Sequence, residues 1–94
     1  MTAQEATLNI AVNLGRLSRF ATEGKTTRVQ MFLDDTQQYI DILEQEPKRE
    51  KFLSTYEQFI LAYHELRTMN TYDYDWADTA LTWASILEHR AKLA

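Results

Sequence analysis

The chain has 94 residues, of which 45% are hydrophobic and 26% charged, and its formal net charge is −4. That length suits one domain with a modest core, and the balance of apolar and charged residues excludes wholesale disorder. Two glycines, one proline and no cysteine argue against a turn-rich β fold, and they exclude disulfides, thiolate metal sites and thiol catalysis.

No basic N-region precedes an apolar stretch and no apolar run approaches membrane-spanning length, so a cytoplasmic protein without a membrane partner is expected. Asp34, Asp35, Asp41, Glu44 and Glu46 form an acidic run without a lysine or arginine. The bases Arg16, Arg19, Lys25 and Arg28, then Lys48, Arg49 and Lys51, are too scattered to outweigh the acidic total on a phosphate backbone. Nucleic-acid binding is therefore not expected.

Four helical segments account for nearly the whole chain. The first opens with Thr2 and Glu5 at capping-box spacing, and Ala3, Ala6, Ile10, Leu14, Leu17 and Ala21 recur at three- and four-residue intervals. Gly24 supplies a left-handed stop. The second begins at Thr27 with Gln30 as a second capping box, and its apolar stripe is Val29, Phe32, Leu33, Thr36, Ile40 and Leu43. Pro47 is read as opening the third, because a proline at the first helical position loses no hydrogen bond. That helix buries Phe52, Leu53, Tyr56, Phe59, Ile60, Tyr63 and Leu66. The stretch RTMNTYDYD reads as a connection, with Asp75 and Asp78 as N-cap and N3 of the fourth helix. Trp76, Ala77, Ala80, Trp83, Ala84, Leu87 and Ala91 form that helix's inner face.

Helices of about 18–20 residues with short connections favour an all-α, antiparallel up-down-up-down four-helix bundle, one helical domain spanning residues 1–94. Helical hairpins that complete a bundle by dimerising are the structural alternative. A metal site between bundle helices needs Glu-x-x-His pairs, and neither histidine has a glutamate three residues before it. Asp73, Asp75 and Asp78 lack the glycine and terminal glutamate of a calcium-binding loop. No phosphate loop, nucleophile elbow or catalytic constellation is visible, so neither catalysis nor a metal or other cofactor is expected.

The outer faces are less polar than a monomer requires. Leu8 and Val12, spaced i, i+4, lie roughly opposite the first helix's core stripe; Leu61 is opposite that of the third; Ile86 and Leu93 are off the inner face of the fourth. With Tyr72 and Tyr74, aromatics that carry a polar handle, these residues form the candidate partner interface.

The run His64-Glu65-Leu66-Arg67-Thr68 resembles the phosphoacceptor box of sensor histidine kinases, Ser-His-Glu-Leu-Arg-Thr-Pro-Leu. The resemblance implies a phosphoryl group on a His64 ring nitrogen, with Glu65 orienting the ring. It spans five residues. Tyr63 replaces the serine, Met69 the proline and Asn70 the leucine, and no nucleotide-binding boxes accompany the run. His64 itself falls about 90° from the centre of its helix's stripe, at the core boundary. His89 and Lys92 have the His-x-x-Lys spacing of histidine phosphotransfer domains, but helix-dipole complementarity explains cations near a C-terminus more simply. The expectation is a small non-catalytic interaction or adaptor bundle that binds another protein and self-associates as a homodimer. Phosphotransfer at His64 is the alternative.

Overall fold

A computed structural model describes residues 1–94 and shows four helices, α1 (Ala3–Thr22), α2 (Thr26–Gln45), α3 (Glu50–Thr68) and α4 (Tyr74–Arg90). A single 3₁₀ turn, Ala91–Leu93, follows α4. The helices form an antiparallel four-helix bundle 37 Å long and about 20 Å across. One continuous core draws on all four, so the single chain completes the bundle without a second copy.

The ends of the helices follow from local chemistry. Thr2 and Glu5 close the capping box around the α1 N-terminus, Glu5 N–H donating to Thr2 Oγ1 (3.1 Å) and Thr2 N–H to Glu5 Oε1 (3.0 Å). The bond from the Thr2 backbone holds the Glu5 carboxyl below its ordinary pKa. At the other end Gly24 takes a left-handed φ of 71°. Gly24 N–H donates to Ala21 O and Lys25 N–H to Phe20 O, the paired bonds of a Schellman motif.

Three helix boundaries differ from the sequence expectation. The Schellman motif consumes Lys25, so α2 starts directly at Thr26 with Lys25 at its N-cap, and Thr27 lies inside the helix rather than capping it. Pro47 terminates α2 instead of opening α3. It forces Glu46 into an extended conformation (ψ 143°), and α3 begins three residues later at Glu50. Lys48 then covers the open α2 C-terminus, its Nζ donating to the carbonyls of Leu43 (2.7 Å), Glu44 (3.1 Å) and Glu46 (2.9 Å). Asp73, not Asp75, caps α4 by accepting from Trp76 N–H (2.9 Å), which extends that helix to Tyr74.

Side-chain size decides how closely each helix pair approaches. Ala3, Thr7, Ala11 and Ser18 on α1, and Ala77, Ala80, Ala84 and Ala91 after them, are all buried. These small residues let α1 and α4 run closest together, with α1–α2 next. Buried hydroxyls fit here because they bond back along their own helix, as Thr7 Oγ1 does to Ala3 O (2.7 Å). No buried side-chain polar atom is left without a partner.

The opposite side of the bundle is built from large side chains. Phe52, Phe59, Tyr63 and Leu66 bring α3 into the core, with Phe59 5.9 Å from Tyr63 and 5.7 Å from Trp83, ring to ring. Their bulk holds the α3 backbone away from those of both α2 and α4. Leu53, expected in the core, is 38% exposed, because it lies in the first turn of α3, level with residues beyond the end of α2. Phe32, Tyr56, Ile60 and Trp83 pack on the core while remaining half-buried.

Overfilling the small-residue seam should therefore be costly. Ala6→Leu or Ala80→Leu, both at fully buried positions, should each destabilise by about 1–3 kcal/mol in urea unfolding. Leu81→Ala, on the exposed face of the same α4, should change stability by less than about 0.5 kcal/mol.

Candidate functional site

The separation of α2 from α3 leaves a groove of about 190 Å³ lined by Gln37, Ile40 and Glu44 on α2 and by Tyr56, Ile60, Tyr63, His64 and Arg67 on α3. Ile40, Tyr56, Ile60 and Tyr63 supply its apolar part. Gln37, Glu44, His64 and Arg67 supply its polar atoms. Two cross-links brace one end: Tyr63 Oη donates to Leu33 O (2.9 Å), and Arg67 Nη2 pairs with Asp34 Oδ1 (2.6 Å). At the other end Lys48 Nζ sits 4.7 Å from the centre of the Tyr56 ring.

The groove's titratable groups are tuned by this arrangement. Burial pushes the Tyr63 phenol up to about 12, so it stays a donor to Leu33. Tyr56 is also raised, by burial and then by the Glu44 charge. The hydrogen bond to Asp34 raises Arg67 above its ordinary value and fixes its positive charge in place. Asp41 and Glu44 on α2, and Glu57 on α3, have no cation within ion-pair distance. The groove thus combines an apolar wall of Ile40, Tyr56, Ile60 and Tyr63 with the Glu44 carboxylate beside it and a cation, Arg67 or Lys48, at each end.

His64 is exposed at the groove's mouth, beside Arg67. His89 is exposed too, and its Nδ1 donates to Ser85 O (2.8 Å). The remaining candidate interface residues scatter. Leu8 and Val12 are exposed on α1 and Leu61 is 71% exposed on α3. Because α1 and α3 sit diagonally across the bundle, the two groups point away from each other. Tyr74 is 79% exposed, whereas Tyr72 is half-buried against Trp76 with ring centres 4.9 Å apart. Ile86 and Leu93 are half-buried, Leu93 packing on the core. Asp73 serves as a helix cap, and no three His, Asp or Glu side chains converge where an ion could sit.

Of the groove residues only His64 is a candidate site from sequence; Ile40, Tyr56, Ile60 and Tyr63 read there as core, Glu44 as part of the acidic run, and Gln37 carries no signal. The signal for the groove itself was the contrast between alanine-rich first and fourth helices and an aromatic-rich third, which cannot all pack at one spacing. Compared with known proteins, the chain matches no family model, no curated protein and no solved structure.

Tyr63 provides a test of the groove's bracing. Its folded pKa, about 12, lies above the ordinary 10.0, so its contribution is complete below pH 10 and is lost as pH rises through 12. Tyr63→Phe should cost about 1 kcal/mol at neutral pH. It should also flatten the fall in stability over that alkaline window, read by thermal unfolding at stepped pH.

Proposed function

We propose that the protein is a small non-catalytic interaction module, acting in the cytoplasm, whose α2–α3 groove receives an apolar anchor from a basic segment of a protein partner. The open seam itself carries this reading: half-buried Tyr56 and Ile60 present apolar surface that the chain's own helices do not cover. The volume suits one large side chain and falls below the roughly 300 Å³ at which small-molecule sites begin. Glu44, beside the apolar wall, selects positive charge in the segments beside the anchor. No helix is long and apolar enough to cross a membrane, which fits a module that works on proteins.

Affinity capture from the native organism, followed by mass spectrometry, should recover a partner with the wild-type chain and lose it with Ile60→Glu. Leu61→Glu, one residue on but facing outward, should keep it. The recovered protein should carry lysine or arginine next to a large apolar residue in its binding segment, and added salt should weaken capture. Equal recovery by wild type and by a folded Ile60→Glu variant contradicts the proposal.

Exposure of His64 at the same groove favours phosphotransfer as a second reading, with the ring accessible to a donor enzyme. Incubation with a small phosphodonor and intact-mass measurement at alkaline pH should then show one added phosphoryl group, absent in His64→Gln. No adduct on the wild-type chain removes that reading.

A further inference from the structure

The face formed by α1 and α2, on the far side of those helices from α3 and α4, carries apolar residues that nothing in the chain covers. Val12 is 52% exposed and Met31 61%, with Ile42 less open and Leu8 at the face's edge. The same face is polar in charge from end to end. Arg16, Arg19 and Arg28 lie toward the α1–α2 turn, and none of them has a carboxylate within ion-pair distance. Their side chains instead lie over rings: Arg19 and Arg28 are 5.0 Å and 5.5 Å from the Phe20 centre, and Arg16 is 5.9 Å from that of Phe32. Glu5 stands toward the opposite end.

The register of the two helices relates these features. Asn13 Nδ2 bonds Asp35 Oδ2 across the seam (2.9 Å), and the Phe20 and Phe32 rings meet at 5.1 Å. Val12 therefore sits level with the middle of α2, and Met31 and Ile42 flank that middle by nearly equal steps. We infer that two copies of the chain associate through this α1–α2 face in an antiparallel two-fold pair. Val12 meets the partner's Val12 at the axis, Met31 meets the partner's Ile42, and Arg19 meets the partner's Glu5. A parallel pair would instead place the arginines of both copies together, so like-charge repulsion selects the antiparallel arrangement.

Size favours this face over the ends. The bundle's sides measure 37 by 20 Å between Cα extremes, roughly 700 Å², against about 800 Å² per partner in a standard interface. The ends, 20 by 19 Å, give only about half of that standard. The pairing is independent of the α2–α3 groove, which it leaves open, so a dimer would display two grooves facing different directions.

The absence of cysteine makes the test direct. Val12→Cys should form an intermolecular disulfide under mild oxidation much faster than Leu61→Cys, because only position 12 lies on the axis. In sedimentation at about 100 μM and low ionic strength, where charges are least screened, wild type should be a dimer that weakens as salt rises. Val12→Glu with Met31→Glu should be a folded monomer by circular dichroism and sedimentation. If that variant does not fold, the two cysteine variants still decide. A wild-type monomer under these conditions, a dimer that survives the double substitution, or equal cross-linking at positions 12 and 61 overturns the inference.

Discussion

The approach of α1 to α4 through small side chains sets where the rest of the chain has to go. Ala3, Thr7, Ala11 and Ser18 on one helix, and Ala77, Ala80 and Ala84 on the other, leave little volume between the two backbones. A seam that tight cannot hold Phe52, Phe59, Tyr63, Trp76 and Trp83 as well, so the aromatic volume gathers around α3, where Phe59 meets Trp83 and Trp76 Nε1 donates to Leu66 O. Core packing tolerates no voids, and the helices carrying those rings stand apart to fit them.

The α2–α3 groove is the consequence of that asymmetry. Long-reaching polar contacts replace close backbone packing along the seam: the Tyr63 phenol to Leu33 O, and Arg67 to Asp34. Lys48 similarly spans the gap at the lower end, holding α2's last carbonyls while resting on Tyr56. These braces keep the groove's shape without filling it. The small seam on the opposite side and the uncovered apolar residues of this one are two results of the same distribution of side-chain size.

Much of this was legible in the sequence, and the failures have physical causes. The capping box at Thr2 and Glu5 and the Gly24 stop depend on contacts within a few residues, and both are present in the structure. The start of α2 differs from the expected Thr27 because Lys25 is shared between the end of one helix and the start of the next, an economy that propensity rules applied to one helix at a time do not see. Pro47 suits either a helix start or the residues just past a helix end, and only the Lys48 side chain folding back onto α2 distinguishes them. Leu53 looked like core because the apolar stripe of α3 is broad. Its exposure depends on where the facing α2 ends, a tertiary quantity. For the same reason His64 was legible as a boundary residue, while the groove it borders was not.

Native-state hydrogen exchange tests the asymmetry most directly. The account predicts that core amides of α1 and α4 exchange only through global unfolding, while α3 also exchanges through a lower-energy opening that separates it from α2 and leaves the α1–α4 pair intact. Equal protection of the cores of all four helices, with α3 opening only when the whole molecule unfolds, would contradict it.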